Sequence, residues 1–297
     1  MDFYVRSGES GFPFSRGILA KSILRTGVTH LKAYQVAEDI RKELVETGKE
    51  EYSDDEVFEL TCKKLDALDP GVAQKYRNWR QITHYRQAIF ILIGGGTGVG
   101  TTSAAAELGY MLEIPRVIGT DTIREVLRKT ISDEFQPTLH ESTYNAGGRL
   151  NRKLLSGVDL DILGFEEQSA SVCVGVKALL ERGISENKSM IIEGIHLLPS
   201  LIDDSYLSRE NVFMFVLDVS DSKEHIERFH RRGKESSRKT SKYVKNFKTI
   251  RKIQEYIVED ARKNNIWVIE NMNLRNTVNS IADHMREHLV ETVKKKN

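Results

Sequence analysis

The most informative stretch of this 297-residue chain is AIFILIGGGTGVGTTS, residues 88–103. Its first half is a run of apolar, largely β-branched residues bounded by glycines, which is typical of a strand buried on both faces. Its second half is a glycine loop that leads into TTSAAAELGYML, whose alanines and leucines favour a helix. A strand, a glycine loop and a helix in this order predict a phosphate cradle, because glycines turn backbone N–H groups inward and a helix N-terminus adds partial positive charge.

The loop departs at one position from the phosphate-binding pattern G-x-x-x-x-G-K-S/T. Gly95 and Gly100 take the glycine positions and Thr102 the hydroxyl position that ligates magnesium, but Thr101 stands where lysine is expected. A glycine run after a strand is also typical of a tight turn or a dinucleotide fingerprint. Residues farther along the chain favour a nucleoside triphosphate site. The predicted ATP-binding residues are Gly95, Gly96, Thr97, Gly98, Val99, Gly100, Thr101, Thr102 and Ser103.

After residue 86 the pattern alternates between strand and helix. Further apolar stretches end in polar residues within PRVIG, SMIIEGIHLLP, NVFMFVLDVSD and NIWVIENMN. With the strand at 89–93 they predict an α/β fold, in which a five-stranded parallel sheet carries helices on both faces. Ligands of such sheets lie at the carboxyl ends of the strands. Asp121, Glu193 and the glycine loop all fall at those ends.

Phosphoryl transfer needs bound magnesium, a group that orients the attacking oxygen, and cations over the developing charge. Glu193 closes an apolar strand, and we predict that it holds Mg²⁺ together with Thr102; an ordinary loop acid is the alternative. Asp121 is predicted to accept or orient the proton of the acceptor hydroxyl, although an aspartate here also suits a helix cap. Arg124 and Arg128 share a helix face and are predicted to grip an anionic acceptor, unless they are simply solvated.

The segment 221–251 has the pattern of a lid. It contains a helix ending near Gly233, a polar tip rich in serine and lysine, and the start of a second helix. Lids of this kind deliver cations and expel water when they close. We predict that one of the arginines on or beside this segment replaces the absent loop lysine, with Arg232 and Arg251 as the first to test; a charged surface hairpin is the alternative. These arginines are Arg228, Arg231, Arg232, Arg238 and Arg251.

The first 85 residues form a separate, mainly helical block with a β-like start. It resembles the ATP-cone, a nucleotide-binding regulatory module. The matching residues are Val5, Arg6, Pro13, Phe14, Ser15 and Lys21. A structural cap on the second domain is the alternative. The predicted domains are therefore an ATP-cone-like domain at 1–85 and a P-loop kinase domain at 86–297.

Composition excludes several function classes. A net charge of +1 with 29% charged residues gives no electrostatic case for nucleic-acid binding. Apolar runs stay short of membrane-spanning length, and MDFYVRSGES lacks the apolar core of a signal peptide. We therefore predict a soluble, cytoplasmic protein without membrane or nucleic-acid partners. Cys62 and Cys173 lie far apart, which argues against a disulfide framework or a cysteine metal site.

Four segments in this order resemble the archaeal 2-phosphoglycerate kinase family: GGGTGVGTTS, VIGTDTIREVLRKTIS, LHESTYNAG and IIEGIHLLP. That family also has an ATP-cone-like N-terminus and reads glycine-threonine in its loop, so Thr101 is a shared departure. The resemblance implies transfer of the γ-phosphoryl group of ATP to 2-phosphoglycerate, giving 2,3-bisphosphoglycerate on the way to cyclic 2,3-diphosphoglycerate. It also implies that Arg124 faces the acceptor and that His140, Ser142 and Tyr144 line its pocket.

Two other function classes remain open. A non-catalytic protein that senses ATP with both domains is compatible with the absent loop lysine. A P-loop kinase acting on another small anionic acceptor, such as a nucleotide or a sugar acid, is compatible with the same arginines. A nucleic-acid-binding regulator is a distant third alternative, and a regulatory domain is compatible with a homodimer.

Overall fold

The chain forms two units in the computed structural model, which describes residues 3–7, 10–82, 87–150, 157–235 and 240–296. The first unit comprises Met1–Arg86 with Ala282–Asn297, and the second comprises Gln87–Ile281. The sequence-based boundary instead left residues 282–297 with the second domain. The assignment of a regulatory role to one unit and a kinase role to the other stays a prediction.

The first unit combines a small sheet with helices. Strand β1 pairs antiparallel with β2 and parallel with β3, in the order β2-β1-β3. The elements are β1 (Tyr4–Ser7), β2 (Ser10–Pro13), α1 (Arg16–Leu24), α2 (His30–Glu46), β3 (Glu51–Ser53), α3 (Asp54–Leu68) and α4 (Pro70–Ile82). Helix α3 begins with a capping box, in which Glu56 N donates to Ser53 Oγ at 3.1 Å and Ser53 N donates to Glu56 Oε2 at 2.7 Å. The unit is mainly helical, as the sequence predicts.

The second unit is built on five parallel strands in the order β5-β6-β4-β7-β8. Its elements are β4 (Phe90–Gly95), α5 (Thr101–Leu112), β5 (Val117–Gly119), α6 (Thr120–Thr130), α7 (Leu160–Ser185), β6 (Met190–Gly194), α8 (Asp204–Leu207), β7 (Val212–Asp218), α9 (Ser222–Glu235), α10 (Thr240–Lys245), α11 (Phe247–Lys263), β8 (Trp267–Glu270) and α12 (Leu274–Lys296), which continues into the first unit. Short 3-10 segments lie at Pro137–His140, Thr143–Arg149 and Pro199–Leu201. The predicted parallel sheet is confirmed.

Helices cover both faces of this sheet. Helix α7 packs against Phe90 and Leu92 of β4 and against Met190 and Ile192 of β6. Ile191 points the other way, because side chains alternate along a strand, and there it lies against α5. The central strands are fully buried for this reason, which explains their unbroken apolar sequence. Among the described residues, no helix has the length and apolarity to cross a membrane.

The sheet order brings the glycine loop next to two neighbouring strand ends. Strand β4 lies at the centre, with β6 on one side and β7 on the other. Because all strands run the same way, their carboxyl ends share one edge. Glu193 at the end of β6 and Asp218 at the end of β7 therefore flank the loop that leaves β4.

Candidate active site

The glycine loop joins β4 to α5 in a conformation that needs glycine. Gly100 is the N-cap of α5 with φ 98°, in the left-handed region that L side chains rarely adopt. A Cβ at Gly98 would lie 2.6 Å from the ring of Phe229. The first helical bond runs from Ala104 N to Gly100 O at 3.0 Å, so the preceding N–H groups of α5 have no intrahelical acceptor. These donors and the helix dipole favour an anion at this position.

Glu193 is held by the two threonines that follow the loop. Thr101 Oγ1 donates to its Oε2 at 2.6 Å, and Thr102 Oγ1 donates to its Oε1 at 3.0 Å. The carboxylate is buried, with 8% of the residue exposed. The position of the expected lysine is thus filled by a hydroxyl that binds Glu193. The structure brings together all three residues that the sequence linked to magnesium or to the lysine position.

The oxygen ligands in this cluster suit Mg²⁺, a hard cation. Magnesium in phosphoryl-transfer sites is bound through one or two carboxylates and the phosphates of the substrate, and not through a cage of protein ligands. The described residues contain no group of three or more His, Cys, Asp or Glu side chains that could hold a metal ion by themselves. Glu193 with Thr102 therefore fits the open kind of site, and its role in metal binding stays a prediction.

Asp121 is the second residue of α6, and its side chain is 70% exposed. Gly119, and not Asp121, is the N-cap of that helix, so the helix-cap alternative for Asp121 is wrong. Arg124 Nε lies 3.6 Å from Asp121 Oδ1, while its Nη1 donates to the carbonyl oxygens of Leu139 and Glu141 at 3.2 and 2.9 Å. The guanidinium of Arg124 is therefore turned toward a loop backbone as well as toward Asp121.

The other residues predicted to bind the acceptor each contact a different part of the structure. Arg128 Nη1 donates to Glu125 Oε1 at 3.1 Å on the same helix. His140 Nε2 bonds the carbonyl of Ile131 at 3.0 Å, and the ring of Tyr144 meets the edge of Tyr243 on α10, with centroids 6.1 Å apart. Ser142 is the N-cap of the second 3-10 segment. Their binding of an acceptor stays a prediction.

Three side chains of α9 lie on the glycine loop. His225 Nε2 donates to Thr97 O at 2.8 Å, Arg228 Nη1 donates to Val99 O at 3.1 Å, and Phe229 packs on Gly98. Their spacing of three and four residues places them on one helix face. Burial lowers the pKa of His225, which keeps its ring neutral. The sequence places Arg228 among the lid arginines, but helix spacing does not show that this face contacts the glycine loop.

Of the two lid arginines singled out from the sequence, Arg251 does not bond the glycine loop directly. Arg251 Nη1 donates to Val219 O at 2.5 Å, and its Nη2 donates to Ser220 O at 3.2 Å, just beyond β7. Its Nη1 is also 3.5 Å from Nδ1 of His225, so it reaches the loop only through that ring. Arg232 falls in the stretch 232–240, whose side chains lie outside the described part of the structure.

Two buried side-chain amides bind backbone groups of the glycine loop, and the sequence analysis did not identify either of them. Asn271 Nδ2 donates to Val99 O at 2.7 Å, next to the bond from Arg228. Gln254 Oε1 accepts from Gly96 N, and its Nε2 donates to Asp218 Oδ1 at 2.8 Å. Both amides come from elements far along the chain. Single asparagines and glutamines in such elements carry no sequence signal of this role.

The first unit has a cavity of its own, of about 440 Å³. Its walls include the rings of Phe14, Phe58, Tyr76 and Trp79 and the guanidinium of Arg80. Asp54 also lines this cavity and pairs with Arg80 at 3.3 Å, so its wall carries both charges beside the aromatic rings. Nucleotide binding by this unit stays a prediction.

Comparison with known proteins identifies curated relatives along nearly the whole chain, although no protein-family model matches it. The chain is 40% identical over 289 residues to the 2-phosphoglycerate kinase of Methanopyrus kandleri, covering 97% of this chain and 88% of that protein. It is 41% identical over 295 residues to the 2-phosphoglycerate kinase of Pyrococcus furiosus, covering 98% and 95%. Among solved structures, a gluconokinase from Sinorhizobium meliloti matches with a TM-score of 0.40 and 16% identity over 71% of this chain and 99% of its own.

The buried imidazole of His196 is expected to make stability fall in mild acid. Burial lowers its pKa to about 4, with Asp121 opposing the shift and Arg124 adding to it. An unfolded histidine binds its proton near pH 6.5, so the unfolded state gains protons first as the pH falls. Between pH 7 and pH 5, the free energy of unfolding should drop by about 2 kcal/mol more in the wild type than in His196→Gln, as measured by urea unfolding. Parallel pH dependences in the two proteins would contradict a neutral buried ring.

Proposed function

This chain belongs to the 2-phosphoglycerate kinase family, and from that premise we propose that it transfers the γ-phosphoryl group of ATP to 2-phosphoglycerate. The product is 2,3-bisphosphoglycerate with release of ADP. The observation that carries the proposal is the carboxylate of Glu193 bound by Thr101 and Thr102 at the start of α5. Any later conversion of the product to a cyclic diphosphoglycerate stays a prediction.

The glycine loop would hold the triphosphate of ATP. The N–H groups at the start of α5 and the dipole of that helix supply donors and positive potential for the phosphates. Thr102 and Glu193 would hold Mg²⁺ at the same helix end. When bound, the metal neutralises charge on the β- and γ-phosphate oxygens. The hydroxyl of Thr101, which bonds Oε2 of Glu193, would orient that carboxylate for the metal.

Asp121 would accept the proton of the acceptor hydroxyl. The free hydroxyl of 2-phosphoglycerate attacks the γ-phosphorus, a new P–O bond forms, and the bond to the β-γ bridging oxygen breaks as ADP leaves. Asp121 lies just after β5, the strand that pairs with β6. Its side chain is exposed, so a substrate can reach it. The carboxylate and phosphate of the acceptor require cations, which Arg124 and Arg128 on the same helix would supply.

Arg228 takes the place of the absent loop lysine in this account. Its guanidinium bonds Val99 O and also the carbonyl of Asn271. Its side chain is 18% exposed, and its Nε pairs with Glu224 Oε1 at 3.0 Å, so part of its charge is compensated by that carboxylate. The positive charge lies beside Gly100, at the helix end that would receive the phosphates.

Acceptor-dependent release of ADP is the direct test of the proposed function. With ATP and Mg²⁺, the full-length protein should release ADP when 2-phosphoglycerate is present, and Asp121→Asn and Glu193→Gln should each lower kcat about 100-fold or more. Asp204→Asn, an exposed acid in α8, is the control and should keep wild-type turnover. ATP binding without turnover on 2-phosphoglycerate would move the assignment to an ATP-sensing protein, and turnover on another acid would move it to a kinase with a different acceptor.

The role of Arg228 predicts a distinct pattern among the lid arginines. Arg228→Met should raise the KM for ATP about tenfold or more, because it removes the cation at the loop, while Arg228→Lys should recover part of the loss. Arg231→Met is the matched control, since that side chain is 60% exposed on the same helix and pairs with the same Glu224. A larger loss of activity in Arg251→Met than in Arg228→Met would favour the lid arginine predicted from the sequence.

A further inference from the structure

His196 is a fully buried histidine to which the proposed reaction assigns no role. Its Nδ1 lies 3.0 Å from Thr120 Oγ1, and its Nε2 lies 3.1 Å from Gln168 Oε1. Thr143 Oγ1 is a more distant neighbour of Nε2, at 3.5 Å. The ring therefore stands between the start of α6, helix α7, and the loop of residues 137–150, which we call the 137–150 loop.

The direction of these hydrogen bonds follows from the amide of Gln168. Its Nε2 donates to the carbonyl oxygens of Thr138 and Glu141, the second at 3.2 Å. Carbonyl oxygens only accept, so Gln168 presents to the imidazole its Oε1, which also only accepts. Nε2 of His196 then carries the ring proton, and Nδ1 accepts from the hydroxyl of Thr120. Each group in this chain of hydrogen bonds therefore donates to the next: Thr120 to His196, His196 to Gln168, and Gln168 to the two loop carbonyls.

The 137–150 loop is held at several further points. Arg124 donates to the carbonyl of Glu141 as well, so that oxygen accepts from α6 and α7 together. A Cβ at Gly147 would lie 2.1 Å from Leu160 O, which means that the loop backbone packs directly on the start of α7. In contrast, a Cβ at Gly148 would meet no atom within 4 Å. These contacts join the loop to both α6 and α7.

The other end of the hydrogen-bond chain lies beside both proposed catalytic carboxylates. Thr120 immediately precedes Asp121. The residue before it, Gly119, is so close to Glu193 that a Cβ there would lie 3.0 Å from Oε1 of that carboxylate. The hydrogen bonds of His196 thus connect the segment that carries Asp121 and lies beside Glu193 to the loop predicted to bind the acceptor.

We propose that His196 is a positioning residue for the acceptor. By accepting from Thr120 and donating to Gln168, its imidazole fixes the 137–150 loop relative to Asp121. This inference rests on the proposed kinase function, because it takes the loop as part of the acceptor site. A displacement of about 1 Å among reacting groups costs about a hundredfold in rate, so the position of this loop relative to Asp121 matters for the reaction.

Two substitutions of His196 separate its two hydrogen bonds. A glutamine amide reaches the position of Nε2 and can donate to Gln168, whereas an asparagine amide reaches only the position of Nδ1 and accepts from Thr120. His196→Gln loses the bond to Thr120 and His196→Asn loses the bond to Gln168, and either loss breaks the chain between Asp121 and the loop. Each variant should therefore raise the KM for 2-phosphoglycerate about tenfold or more, with the KM for ATP unchanged. An unchanged KM for 2-phosphoglycerate in either variant, or an equal rise in the KM for ATP, would overturn the proposal.

Hydrogen exchange of the full-length protein supplies a readout that needs no turnover. His196→Asn and Gln168→Met should both speed exchange of amides in the 137–150 loop and leave the glycine loop protected, because each removes a link of the same chain. Gly148→Ala is the control and should exchange like the wild type. An inactive wild type with this exchange pattern would contradict the kinase function alone. An active wild type in which His196→Asn leaves loop exchange unchanged would contradict the positioning role.

Discussion

The carboxylate of Glu193, bound by the hydroxyls of Thr101 and Thr102, is the interaction on which the proposed site depends. Each carboxylate oxygen accepts one bond from a residue at the start of α5, which ties the end of β6 to the loop after β4. A buried carboxylate without such donors would be costly, and two hydroxyls lower that cost without a cation. A threonine at the lysine position therefore contributes hydrogen bonds in place of charge, and the charge is the part that we propose Arg228 supplies.

Neutral side chains hold both loops of the site. Gln254, Asn271 and the ring of His225 bind backbone groups of the glycine loop, while His196 and Gln168 serve the 137–150 loop. Buried amides and imidazoles meet backbone groups without the desolvation cost of a charge. Arg124 and Arg228 add charged contacts to the same loop backbones, and Asp121 stays exposed. Such a framework suits a reaction in which positioning and electrostatic stabilisation do most of the work.

The fold was largely predictable from sequence, because the buried strands and the strand-loop-helix order are local patterns. The pairing of Glu193 with the loop followed from the rule that parallel strands end at one edge. The orientation of Arg124 toward loop carbonyls was not predictable. Spacing along a helix shows which residues share a helix face, but it does not show which groups that face contacts. The same limit hid His225 and Asn271, whose partners in the glycine loop lie more than a hundred residues away. Tertiary packing alone brings such groups together.

Binding of ATP to variants of Thr101 tests the central claim most directly. Isothermal titration with and without Mg²⁺ separates the metal-dependent part of the affinity from the rest. If the hydroxyl of Thr101 orients Glu193 for the metal, Thr101→Val should lose about tenfold in affinity with Mg²⁺ and little without it, and Thr101→Ser should bind like the wild type. Equal affinities of Thr101→Val and the wild type in the presence of Mg²⁺ would contradict the account.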